Sequence, residues 1–126
     1  MITILVIMVV GGDGVTSSGT SVELLHSNGT HLCSLPNLPS KRRGHSQTGL
    51  TCCGGWDSPA FTSCLTFNSG SWEQSHELAQ HRRRHSVWAS PQGIMLLGGQ
   101  DSGTTSEILL ESGDTTPGFS LNYRIE

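Results

Sequence analysis

Apolar stretches along this chain are short, and they recur. Three of them run into a pair of glycines: ILVIMVV before Gly11 and Gly12, LTCC before Gly54 and Gly55, and IMLL before Gly98 and Gly99. The pairs lie 43 and 44 residues apart. A brief apolar run bounded by glycine predicts a strand covered on both faces, so the opening stretch MITILVIMVV is expected to be a buried strand. It is too short to span a bilayer, has no basic start, and shows no small-residue cleavage pattern; a truncated signal or anchor segment is the competing reading.

The segments after each glycine pair recur in the same order. A polar loop containing an acid (Asp13, Asp57 or Asp101) leads to a second strand-like run, SVELL from Ser21, SCLTF from Ser63 and SEILL from Ser106, with starts 42 and 43 residues apart. A turn signal comes next, at Asn28 and Gly29, Ser69 and Gly70, or Gly113 and Asp114. A short segment with a bulky or apolar residue then succeeds it: His31 to Leu35 in the first unit, Trp72 in the second, Phe119 to Leu121 in the third. The cycle closes on SKRRGHSQT (40–48) and QHRRRHSVW (80–88), which superimpose with Arg43 on Arg83 and His45 on His85 at an offset of 40. Four short strands in a unit of roughly 43 residues predict one blade of a β-propeller.

These residues resemble the kelch repeat: a hydrophobic run, a double glycine, a spaced second strand, Trp72 some 17 residues beyond Gly55, and an Arg-containing strand leading into the next unit. The resemblance covers nearly the whole chain. It departs from the family in lacking the third-strand tyrosine, with Leu25, Phe67 and Leu110 near its place, and in having Leu32 or Cys33 where the second unit has Trp72. The expected fold is all-β, a fragment of a kelch-type propeller with about two and a half four-stranded blades. Residues 1–40 form a partial blade, 41–79 and 80–122 complete ones, and 123–126 the start of another repeat. A propeller closes with about four to eight blades, so further blades are expected from a longer chain or from other copies.

The six glycines of the pairs are expected to be structural, since positive φ and close backbone approach exclude a Cβ. Arg43, Arg83 or Arg84, His45 and His85 are expected to make hydrogen bonds between blades. A metal site is not expected: His81 and His85 have helical spacing but lie on a loop and strand, where i and i+4 are about 13 Å apart, and no second Cys or His pair completes a tetrahedral set. No cofactor is expected either, and no hydrolase, metalloprotease or phosphate-loop signature points to catalysis.

Composition supports this picture. Sixteen glycines, five prolines and only 13% charged residues suit short strands and tight turns. With a net charge of −3 and basic residues gathered mainly at 41–43 and 82–84, nucleic acid is an unexpected partner. Of the four cysteines, Cys52 or Cys53 faces Cys64 across an antiparallel pair, and Cys53 with Cys64 is the favoured disulfide. Asn28, Gly29 and Thr30 form an N-glycosylation acceptor. Together these favour an extracellular protein, with a cytoplasmic one as the alternative. The function that emerges is a non-catalytic, protein-binding scaffold whose contacts come from exposed loops, with Lys41, Asp57, Arg82 and Asp101 as candidates. The alternatives are an extracellular carbohydrate-active or oxidase-type propeller and a structural spacer.

Overall fold

The computed structural model describes residues 6–11, 19–56, 61–100 and 103–120, and among them there are strands and turns but no helix. Three antiparallel sheets succeed one another along the chain. The first contains β1 (Val6–Val10), β2 (Val22–His26) and β3 (His31–Leu35), in that spatial order. The second contains β4 (Ser46–Thr48), β5 (Thr51–Cys53), β6 (Ser63–Asn68) and β7 (Ser71–Glu77), and the third β8 (Ser86–Ser90), β9 (Gly93–Leu97), β10 (Ser106–Leu109) and β11 (Thr115–Pro117). Every sheet is a meander in which sequence neighbours pair. Short connections allow nothing else, because a parallel pair needs a crossover of a dozen residues or more.

The registers show which positions are equivalent. Val10 pairs with Val22, Cys53 with Cys64, and Leu97 with Ser106. The residue after each first partner donates its amide to the next position along: Gly11 N to Ser21 O at 2.8 Å, Gly54 N to Ser63 O at 3.1 Å, and Gly98 N to Thr105 O at 2.9 Å. Thr105, not Ser106, is therefore the counterpart of Ser21 and Ser63. The third strand of the last unit also sits earlier than expected. The turn closes tightly, with Gly113 N on Leu110 O, so pairing starts at Thr115 and leaves Phe119 beyond the strand and 54% exposed. Pro117, which has no N–H to donate, ends an outer strand where none is required.

The second sheet is the middle layer. Adjacent residues of a strand point to opposite faces, and β5 uses both. Cys52 joins Val10, Val22, Leu38 and Leu65 in one core cluster, while Cys53 joins Cys64, Leu78, Leu96 and Leu109 in the other. Leu38 and Leu78 are counterparts in the two connecting segments; each donates its amide to a threonine carbonyl, Thr20 or Thr62, of the sheet it leaves. Cys53 and Cys64 form a disulfide between directly opposed residues, with their Cα atoms 4.1 Å apart. The same two places in the first sheet hold Val10 and Val22.

The expectation of a buried first strand does not hold. Val9 is 39% exposed, whereas its counterparts Cys52 and Leu96 are each at 0%. Val6 and Ile7 are exposed too. The physical reason is the layering: among the described residues, the faces of β5 and β9 that carry Cys52 and Leu96 each lie against a preceding sheet, and the corresponding face of β1 does not. Nor does any described strand pair with the edge of β1 that β4 and β8 occupy in the other sheets.

Replacing Cys53 and Cys64 together by valine, the pair used at the same places in the first sheet, should preserve the fold and lower its unfolding free energy by about 2 kcal/mol, the lower end for a disulfide because the closed loop is short. Urea unfolding of the double variant beside the oxidised parent checks this; an unchanged midpoint would mean that the bridge contributes nothing to stability.

Candidate functional site

The charged side chains that the fold organises most tightly lie where one sheet hands over to the next. Arg42 and Arg82 occupy equivalent places in the two connecting segments and are 2% and 1% exposed. Arg82 donates from Nη1 to Gly98 O at 2.8 Å and Thr105 O at 3.0 Å, and from Nη2 to Thr105 Oγ1 at 2.9 Å. Its Nε reaches Glu107 Oε1 at 3.0 Å, and the Glu107 carboxylate also accepts the Ala79 amide at 2.8 Å. Arg42 repeats the pattern in the second sheet, donating to Gly54 O at 2.9 Å, Ser63 O at 2.8 Å and Ser63 Oγ. Each arginine thus fills the gap between two strands of the next sheet just where their ladder ends, and satisfies carbonyls that the ladder leaves over.

The two joints differ at one atom. Leu65 stands in the second sheet where Glu107 stands in the third, so Arg42 Nε is buried without a hydrogen-bond partner. Phe61 takes part of that role, with its ring centroid 4.3 Å from Arg42 Cζ. Burial holds the Arg42 guanidinium below its usual pKa, with Cys52 and Glu77 opposing the shift. Burial likewise pushes the neighbouring Cys52 thiol up.

Glycine is what lets the arginine backbone close in. At Gly54, φ is +66° and a Cβ would collide with the carbonyl of Arg82; at Gly55, φ is +98° and a Cβ would lie 3.0 Å from Arg43 O and from the His45 Cβ. Gly55 N donates to Arg82 O at 2.7 Å, so the backbone of the connecting segment is itself bonded to the sheet it leaves. Positive φ together with a close backbone neighbour excludes any other residue at low cost. Gly12 lies outside the described residues, while Gly11, Gly98 and Gly99 also have positive φ.

His45 and His85 complete the joints. The His85 ring lies against Gly54 and its Nε2 is 2.6 Å from Ser46 Oγ, linking β4 to the segment before β8. Burial, reinforced by the charges of Arg82 and His45, pushes the His85 pKa down to about 4. His45 is shifted down as well, by burial first, with Arg42 adding to the effect and a hydrogen bond to the Val10 backbone opposing it.

Arg82 is the clearest departure from the sequence-based expectation. Expected on an exposed loop as a partner contact, it is almost completely enclosed, because its guanidinium is the only group there that can serve two backbone carbonyls, a hydroxyl and a carboxylate at once. Arg42 and Arg82, the neighbours of the expected Arg43 and Arg83 or Arg84, bond through their guanidinium groups to the following sheet, while Arg43 and Arg83 have partners of their own. Arg43, Arg83 and Arg84 face a recess between the two joints. Lys41 is exposed, as expected of a contact loop, and Asp57 and Asp101 lie outside the described residues. Trp72 ties sheets together, its indole Nε1 donating to Pro36 O at 2.9 Å. Asn28 is exposed in the turn between β2 and β3, where its Oδ1 accepts the Thr30 amide at 2.9 Å. Arg42 and Glu107 do not stand out in the sequence; the offset of 40 that pairs Arg43 with Arg83 also pairs Arg42 with Arg82, and is the signal that could have found the arginine. Compared with protein-family models and with curated proteins, the chain matches none.

Arg82→Ala should cost about 3–5 kcal/mol of stability, since it leaves the Glu107 carboxylate buried without its cation. Arg82→Ala with Glu107→Leu, which copies the Leu65 arrangement, should recover part of the loss; chemical unfolding of the three proteins measures it, and equal losses would show that the pair is not coupled.

His85 makes stability depend on pH with a defined sign. Its folded pKa lies below the unfolded value near 6.5, so the unfolded chain binds more protons between pH 6.5 and about 4. Stability is complete above pH 6.5, falls as the pH drops through that window, and stops falling from this cause below about 4. The size is on the order of 3 kcal/mol at most. His85→Asn should flatten this part of the profile; a profile identical to the parent's would assign the effect elsewhere.

Proposed function

We propose that this chain is part of a kelch-type β-propeller that serves as a non-catalytic platform for binding a protein partner. The observation that carries the proposal is the joint that occurs twice in the same form: diglycine, buried arginine and histidine, with Arg42 and Arg82 gripping the next sheet through matching carbonyls. A joint that repeats can be continued indefinitely, and a succession of twisted four-stranded meanders joined alike is how a propeller is built. The face of β1 marked by Val9, against which no described sheet lies, is where a preceding sheet would stack. In this reading 41–79 is a complete blade and 1–40 part of one. Residues 80–122 form another, and the ring is completed by further blades of a longer chain or by other copies.

A binding role follows from how the charged groups are divided. Those inside the joints are committed to structural bonds, so recognition is left to the connecting loops, which vary without disturbing the layers. Lys41 and Asp57 are the contacts we assign to it, along with Asp101. The Cys53–Cys64 disulfide and the exposed acceptor Asn28 favour an extracellular setting. Among the described residues no helix is long and apolar enough to cross a membrane.

Stacking is tested by Val9→Glu. If the β1 face receives another sheet, the parent chain should self-associate at micromolar concentration and the variant should not, as read by light scattering; a monomeric parent unaffected by the substitution would refute the stacked arrangement. Binding is tested separately in the native fluid: photo-crosslinkers at Lys41 and Asp57 should capture one common protein, and a crosslinker at Glu73 on the outer strand β7 should not. Capture equal at all three positions would remove the loops from the interface.

A further inference from the structure

Between the two joints lies a recess of about 340 Å³ lined by Arg43, Gly44, Trp56, Arg83 and Arg84. That volume falls at the small end of ligand pockets, and three of its five lining residues carry guanidinium groups in a chain whose net charge is −3. Arg83 lies over the Trp56 ring, with Cζ 4.4 Å from the centroid. The backbone around the recess is tied down on every side. Trp56 N donates to Arg43 O at 2.8 Å, Gln100 N to Arg83 O at 2.9 Å, and Arg84 N to Gly44 O at 2.6 Å.

Arg84 is the residue that structural needs do not explain. It has φ of +54°, one of two non-glycine residues with positive φ among those described. The left-handed region costs a residue with a Cβ about 1 kcal/mol or more. Its counterpart across the recess, 40 positions earlier, is Gly44, which takes the same conformation with φ of +66°. One joint thus uses the residue that this geometry favours, and the other accepts strain to put a long cation in its place. Arg43 and Arg83 have other partners, but the Arg84 guanidinium makes no hydrogen bond or ion pair with a described residue, and the residue is exposed. An unfavourable backbone state retained beside a charged recess is a pointer to function.

We infer that the recess is an oxyanion site, in which Arg84 supplies the binding fork and Arg43, Arg83 and Trp56 line the space around it, for a phosphate or carboxylate group on a ligand. A planar guanidinium offers paired N–H donors at the spacing of two oxygens of either group. Trp56 forms an apolar wall beside it, and locked backbone on all sides lowers the ordering cost of binding. The inference needs only this local geometry and holds whether or not the sheets belong to a closed ring.

Titrating the whole chain with inorganic phosphate and, separately, with succinate tests it by calorimetry and by tryptophan emission. At least one anion should bind saturably, and added sodium chloride should weaken it. Preference for phosphate assigns the site to phosphorylated ligands, and preference for succinate to carboxylates. Arg84→Gly restores the residue that Gly44 shows to suit this conformation, so it should fold with equal or greater thermal stability while losing about tenfold or more in affinity. Arg84→Lys should fall between the two. Absence of saturable binding by both anions, or undiminished binding to Arg84→Gly, overturns the oxyanion site, and either result leaves the stacking of sheets, judged by Val9→Glu, undisturbed.

Discussion

The structure depends on an arginine held in two places at once. The backbone of Arg82 is bonded to the second sheet through Gly55, and its guanidinium is bonded inside the third through Gly98, Thr105 and Glu107. Arg42 stands likewise between the first sheet and the second, its amide donating to Gly19 O and its guanidinium bonded to Gly54 and Ser63. Hydrophobic burial between sheets is non-directional and would tolerate sliding. A forked cation that must meet two carbonyls and a hydroxyl does not, so it fixes where each layer lies on the last. Such a group carries a stability risk as well, because any loss of its acceptors strands a charge away from water.

Everything near the arginine is arranged to make this possible. Positive-φ glycines, Gly11 at one joint and Gly54 with Gly55 at the other, bring the sheet close to the connecting backbone, the His45 or His85 ring lies against them, and Leu38 or Leu78 closes the apolar side. The two joints are not copies in detail. Where the third sheet places Glu107 to neutralise Arg82, the second has Leu65, and Arg42 is served by Phe61 and by backbone oxygens. The geometry of the joint therefore tolerates two electrostatic solutions, one with a buried ion pair and one without, which fits a role in positioning that the carbonyls and not the carboxylate define.

The layering also places neighbouring arginines in different surroundings. Arg42 and Arg82 point into the sheets, and the arginines just after them in sequence face the recess. Arg82 is enclosed while Arg83 and Arg84, the next two residues, both line the recess, so the run is divided between holding the layers together and lining that recess. A cluster of like charge that would repel itself in one place is in this way spread over two environments.

Much of this was legible in the sequence. The strands, the meander order and the near-constant interval follow from short apolar runs punctuated by glycine pairs, because local backbone preference and the period of the pattern act without help from distant residues. The Cys53–Cys64 bridge was legible too, since two strands joined by one loop bring few residues face to face. What the tertiary structure alone decided was facing and exposure. Which arginine of 42–43 or 82–84 turns inward depends on how the connecting segment lies against both sheets. Val9 is as apolar as Cys52 and Leu96, yet only a neighbouring layer can bury it, and the presence of that layer is a property of packing that no local pattern encodes.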